Sequence, residues 1–244
     1  MKSGVVNITG MAVVALAAVL IFGVMSYYSG SSRPPHVSVD RNRYPVKGID
    51  VSYHNGDIDF NAVAADTVSF VYIKATEGGR WQDSCFARNF DAARAAGLSV
   101  GAYHFFRFEV SGLRQAYNFL EGLQGRRPDL PVAIDLEEWK NAPDVTTADI
   151  IDRLAVMVDR LRAEGLQVII YTNKSGYTRF LHRRFDDLEL WICSFTDPPT
   201  GSPWRLWQHS HRGSVRGIKG AVDLNTFNGS LEEFRKFAQF QKNK

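Results

Sequence analysis

Two acidic side chains, Asp135 and Glu137, follow an apolar run in Val132-Ala-Ile-Asp-Leu-Glu-Glu-Trp139. Along an extended chain they lie on the same side, roughly 6.5–7 Å apart, while Leu136 points the other way. Two carboxylates held that close in a partly dry site cannot both ionise freely, so one keeps its proton to higher pH. Cutting a glycosidic bond needs one carboxylic acid to protonate the leaving oxygen and carboxylates to steady an oxocarbenium-like centre. Asp-x-Glu alone is a common pattern, and an exposed acid pair beside a helix cap is the plain alternative. Its place straight after an apolar strand is what gives the pair weight.

Other groups of matching chemistry recur where apolar runs end. Asp50 closes Lys47-Gly-Ile-Asp, Glu77 ends Lys74-Ala-Thr-Glu before Gly78, and Asp223 lies in Val222-Asp-Leu-Asn225. Each alone reads equally well as a turn residue, since Asp bonds readily to nearby backbone. Tyr103, Tyr171 and Gln208 occupy similar positions. A sugar ring presents flat apolar faces rimmed by hydroxyls, and Tyr answers both. His54, His104 and His209 show no metal-ligand spacing, so no metal site is expected. A Gly-x-Ser-x-Gly elbow and a Walker loop are both missing from the sequence, which counts against esterase and NTPase chemistry.

The elements that would position these groups alternate along the chain. Apolar runs predict eight strands, at 46–51, 68–74, 99–105, 131–135, 168–172, 188–194, 205–209 and 222–227. Helical patterns fall between the early ones, at 59–65, 84–96, 113–123, 147–164 and 175–181, and Ser230-Leu-Glu-Glu233 is a capping box that opens a last helix. Strands separated by helices imply a parallel sheet, and eight is the number that closes a barrel around packed side chains. The expected fold is α/β, a modified (β/α)8 barrel of eight strands that loses its outer helices late. Reacting groups then belong on the face where strands end. An open doubly wound sheet is the rival, weakened by the lack of a Gly-x-Gly-x-x-Gly turn after the first strand.

Composition adds bounds. The 244 residues are 45% hydrophobic and 23% charged with a formal charge of +3, ordinary for a globular chain. No Lys/Arg block interleaved with aromatics suggests a nucleic-acid groove. Residues 5–28 carry no charge and include a continuous apolar run from Met11 to Met25. That length sits between a signal-peptide core and a membrane span of about 20 residues. The expectation is a signal anchor or signal peptide over residues 1–30, a Ser/Pro/Arg-rich linker over 31–45 and a catalytic barrel over 46–244. The barrel would face the periplasm from the inner membrane, or be exported after signal cleavage. Arg33, Arg41 and Arg43 pull against that orientation, because positive charge favours the cytoplasmic side. Cys85 and Cys193 stand far apart, and two small buried residues is the preferred reading.

Taken together, seven stretches resemble glycoside hydrolase family 25, the muramidases called Chalaropsis-type lysozymes. They are Gly48-Ile-Asp-Val-Ser52, Phe70-Val-Tyr-Ile-Lys-Ala-Thr-Glu-Gly78, Gly101-Ala-Tyr-His-Phe-Phe106, Ala133-Ile-Asp-Leu-Glu137, Leu190-Trp-Ile192, Trp207-Gln208 and Val222-Asp-Leu-Asn225. The resemblance implies cleavage of the β-1,4 bond between N-acetylmuramic acid and N-acetylglucosamine in peptidoglycan, without metal or cofactor; a monomer is expected. It implies Glu137 as proton donor. Asp135 would assist at the anomeric side, directly or by positioning the substrate's N-acetyl group. Asp50 and Asp223 would complete an acidic floor, with Tyr103, Tyr171, Gln208 and Glu77 binding sugar. Cys193 and the His54-Asn55 pair depart from the family's usual residues. A membrane-tethered peptidoglycan-binding module without catalysis is the alternative, disfavoured by the intact acids. A chitinase is the weakest reading, because the longer acidic run before Glu137 is missing.

Overall fold

The computed structural model describes residues 37–239. The stretch read as a membrane or export segment lies outside them. Among the described residues no helix is long and apolar enough to cross a membrane.

Eight strands close into a barrel: β1 (Lys47–Val51), β2 (Val68–Glu77), β4 (Ser99–Phe105), β5 (Val132–Asp135), β6 (Val168–Asn173), β7 (Glu189–Cys193), β8 (Leu206–Gly213) and β9 (Val222–Phe227). A two-residue strand, β3 (Trp81–Gln82), hangs on the end of β2 as a hairpin. Helices α1 (Phe60–Ala65), α2 (Phe86–Ala95), α3 (Gly112–Gly122) and α4 (Thr147–Ala163) follow β1, β2–β3, β4 and β5. After β6 there is only a helical turn, α5 (Lys174–Gly176), running into a π-helical turn (Tyr177–Leu181). No helix separates β7, β8 and β9, and α6 (Leu231–Gln239) ends the described chain. The expected loss of late helices is therefore observed. At the start of α6, Ser230 and Glu233 exchange the two bonds of the anticipated capping box.

The sheet is not wholly parallel, and this corrects the sequence reading. β1, β2, β4, β5, β6, β7 and β8 run parallel, but β9 is antiparallel to both β8 and β1. The reason is the connection. A parallel crossover needs a dozen or more residues, and only residues 214–221 join β8 to β9. Reversal puts the first residues of β9, including Asp223, at the same barrel end as the last residues of the other strands.

Strand alternation sorts the core into two. Outward residues such as Ile49, Val71, Ile73, Val100, Ile134 and Leu136 pack under the helices. Inward residues, among them Phe70, Tyr72, Ala133, Ile169, Trp191, Leu206 and Phe227, fill the barrel, and Phe234 of α6 plugs its lower end against Phe70 and Phe227. Two glycines make room. A Cβ on Gly48 would stand 2.1 Å from the Phe70 ring, and one on Gly101 2.4 Å from the Tyr72 ring. Only Gly lets those rings lie flat across the neighbouring strand.

The expected linker differs from Val37 onward. Val37 and Val39 lie against the core, and Tyr44 is buried against Trp204 and Trp207. This segment covers the outer face of β8, where a helix would otherwise sit.

Candidate active site

Above the aromatic layer the inward positions turn polar. Asp50, Tyr103, Asp135, Glu137, Tyr171, Gln208 and Asp223 all line one hollow of about 610 Å³ at the upper barrel end, a size that suits a sugar unit. Seven of the eight residues picked out from sequence are thus brought together. Glu77 is not among its lining. A bulge at Ala75 shifts the register of β2 against β4, and Glu77 instead ion-pairs with Lys74 (2.8 Å) and Arg107 (3.6 Å) in an adjoining groove. The same bulge sends Thr76 outward to His104 Nδ1 (2.7 Å), whose Nε2–H donates to Gln115 Oε1 (3.1 Å). His104 is therefore a neutral structural residue, held down to a pKa of about 4 by burial.

Asp135 closes β5, and the ladder continues through Leu136, whose N–H donates to Tyr171 O (2.9 Å). The extended backbone thereby carries Glu137 to the same side as Asp135. A short loop then fixes it. Asn141 donates from Nδ2 to Glu137 O (2.7 Å) and Phe106 O (2.9 Å), and its Oδ1 accepts from Phe108 N–H (2.8 Å). Arg179 pairs with Glu138 and ties the loop to the π-helical turn.

Across the hollow, Asp50 and Asp223 face each other in register on β1 and β9 and share a hydrogen bond. Asp50 also accepts from Asn225 Nδ2 (2.7 Å) and Gln208 Nε2 (2.9 Å), so donors gather on it. Gln208 Oε1 accepts in turn from the Tyr171 hydroxyl (2.8 Å), and the Trp191 indole N–H holds Asn225 Oδ1 (2.8 Å). The network assigns the shared proton to Asp223. Burial, the charge of Asp50 and that hydrogen bond push Asp223 up to about 8. Burial raises Asp50 too, opposed by its three donors.

No Lys or Arg lines the hollow, so its acids are perturbed together. Burial and then the charge of Glu137 hold Asp135 well above the usual carboxylate range, with Lys74 pulling the other way. One Asp135 oxygen, Oδ1, is buried without a hydrogen-bond partner. Glu137 is pushed up to about 6, by burial first and Asp50 second. Burial also raises Tyr103 and Tyr171, which keep their hydroxyl protons. This set can donate a proton to a leaving oxygen and hold negative charge against a developing cation.

Sequence reasoning missed part of the wall: Trp139, Trp191, Cys193, Phe195 and His211 also line the hollow. Strand alternation could have found Trp191 and Cys193, which share a face of β7 with Ile192 turned away. Trp139 is 65% exposed at the rim, offering an open aromatic face. Both cysteines are free and half-buried rather than buried, and the Cys193 thiol is pushed up to about 12 by its surroundings, so it stays protonated. Among the described residues no group of three or more His, Cys, Asp or Glu is arranged to hold a metal.

The chain is similar to known proteins over most of its length. The profile of glycosyl hydrolases family 25 matches residues 49–218. Protein YegX of Escherichia coli is 36% identical over 202 residues, covering 80% of this chain and 74% of that one. Lysozyme M1 of Streptomyces globisporus is 35% identical over 201 residues, covering 76% and 68%. A family 25 glycosyl hydrolase from Bacillus anthracis superposes with a TM-score of 0.77 at 32% identity, over 86% of this chain and all of that one. With the barrel and most of its length matched, the chain belongs to glycosyl hydrolase family 25.

Proposed function

We propose that the chain is a muramidase, cleaving the β-1,4 bond between N-acetylmuramic acid and N-acetylglucosamine in peptidoglycan, with Glu137 as proton donor. One observation carries the assignment of roles: Glu137, raised to about 6, shares a hollow that no Lys or Arg lines with a deeper carboxylate, Asp135. A general acid works best with a pKa near the operating pH, and Glu137 meets that condition. Its proton goes to the glycosidic oxygen as the bond to the anomeric carbon breaks.

Asp135 acts beneath the sugar. Its partnerless Oδ1 is a buried acceptor that an amide N–H would satisfy, and the N-acetyl group at C2 supplies one. Held that way, the acetyl oxygen is turned towards the anomeric carbon. Asp50, fed by Asn225, Gln208 and the Asp223 proton, keeps a negative charge in the hollow while positive charge develops on the ring. Tyr103, Tyr171 and Gln208 bind the sugar, and Trp139 lies at the rim for a ring to stack against.

Glu137→Gln tests the roles. It abolishes release of reducing sugar from peptidoglycan while the circular dichroism spectrum is retained; full activity would remove Glu137 as the acid. We further propose that residues 1–30 export or anchor the chain, with the barrel acting in the periplasm. The uncharged stretch over residues 5–28 supports this. Protease added to spheroplasts should digest the barrel, and complete protection would reject that location.

A further inference from the structure

Beside the acidic hollow lies a second depression of opposite character, a groove of about 990 Å³. The two adjoin: Trp139 lines the hollow and Lys140, the next residue, lines the groove, while the ammonium of Lys74 in the groove acts on Asp135 in the hollow. The groove is lined by Lys74, Arg80, Arg107, Arg114 and Lys140 against two carboxylates, Glu77 and Glu109. Lys74 and Arg107 are neutralised by Glu77 and Glu109. Arg80, Arg114 and Lys140 have no ion-pair partner among the described residues, so three positive charges are left over. Two exposed aromatics, Tyr53 and Trp81, stand 5.5 Å apart along the same groove.

The upper barrel face is thus split by charge. Four carboxylates line the hollow with no Lys or Arg, and cations dominate the groove. A ligand carrying carboxylates finds no countercharge in the first and is attracted by the second, which fixes its direction as well as its affinity. Peptidoglycan offers such a ligand, because N-acetylmuramic acid bears on its lactyl ether a short peptide with free carboxylates.

We propose that the groove holds this stem peptide, so that Arg80, Arg114 and Lys140 make the enzyme selective for peptide-substituted glycan. The proposal rests on the muramidase reading for the identity of the sugar. Tyr53 and Trp81 give the peptide an apolar wall, and the cations meet its carboxylates. Exposed charge pairs are individually weak and screened by salt, so the preference is moderate and salt-dependent.

Calorimetry with the Glu137→Gln chain tests it, using a disaccharide–tetrapeptide muropeptide and the same disaccharide without peptide. The muropeptide is expected to bind roughly tenfold tighter at low salt, from a few exposed contacts acting together. The advantage should shrink to about threefold or less when NaCl rises from about 50 mM to about 500 mM. Adding Arg80→Glu and Arg114→Glu should remove the preference and leave disaccharide affinity unchanged, which also shows that the variant is folded. Equal affinity for both ligands, a preference indifferent to salt, an equal loss on both ligands in the charge-reversed chain, or no detectable muropeptide binding would each overturn the proposal. Failure of the muramidase reading looks different: the unaltered chain would release no reducing sugar from peptide-bearing or amidase-stripped strands, whatever the calorimetry shows.

Discussion

Glu137→Gln should make the protein more stable while destroying its activity, and the size of the gain follows from the acid's environment. The Glu137 carboxyl titrates near 6 in the folded chain against an ordinary value of 4.5. Below pH 4.5 the group is protonated in folded and unfolded chains alike, and its contribution to stability is fully present. As pH rises from 4.5 through 6 the unfolded chain ionises first, so folding stability is lost over that window and is level above it. A displacement of 1.5 pH units corresponds to about 2 kcal/mol. Gln has nearly the same shape and no charge, and no hydrogen bond to the Glu137 carboxylate is sacrificed among the described residues. The variant should therefore melt about 4–8 °C above the parent at pH 8, with little difference at pH 4. Relief of the Glu137 charge on Asp135 acts in the same direction. Thermal melts of both chains at the two pH values supply the comparison. A gain that is absent at pH 8, or equally large at pH 4, would refute the idea that a desolvated acid is stored at this site.

Other consequences can be measured on the same protein. The kcat/KM profile should fall on its alkaline side near pH 6 as Glu137 loses its proton, and Glu137→Asp should move that limb if Glu137 is its source. Asn141→Ala removes three hydrogen bonds that fix the loop carrying Glu137, and should lower kcat more than it raises KM, with a stability loss of about 1–3 kcal/mol. Gly48→Ala drives a methyl into the Phe70 ring and should cost about 1–3 kcal/mol in denaturant melts while leaving the pH profile alone. Asp223→Asn keeps a donor towards Asp50 but removes a group titrating near 8, so its stability advantage should grow between pH 4 and 8 and then level off.

How much of this could be read from the chain depends on where each signal resides. Strand and helix periodicity is local, and it predicts β4 and β9 to the residue. The direction of β9 is not local: it depends on a connection too short for a crossover, so Asp223 reaches the acidic end through a reversal that the strand pattern does not encode. The extension of β2 to Glu77 was hidden because Ala75-Thr76-Glu77 lacks an apolar run, and the bulge there depends on pairing with β4. Alternation about a strand end did reveal Asp135 and Glu137. It could not reveal Asn141, which acts from a loop, or Trp139, Phe195 and His211, which reach the hollow from loops and from the far end of β8. The segment from Val37 to Tyr44 reads as linker by composition, yet packs because the missing outer helices leave Trp204 and Trp207 to be covered.

The bond that is cut can be identified from its ends. Purified peptidoglycan digested with the protein and reduced with borohydride should yield fragments ending in N-acetylmuramitol by mass spectrometry, and the Glu137→Gln chain should yield none. Fragments ending in N-acetylglucosaminitol, or the same products from the variant, would contradict the account.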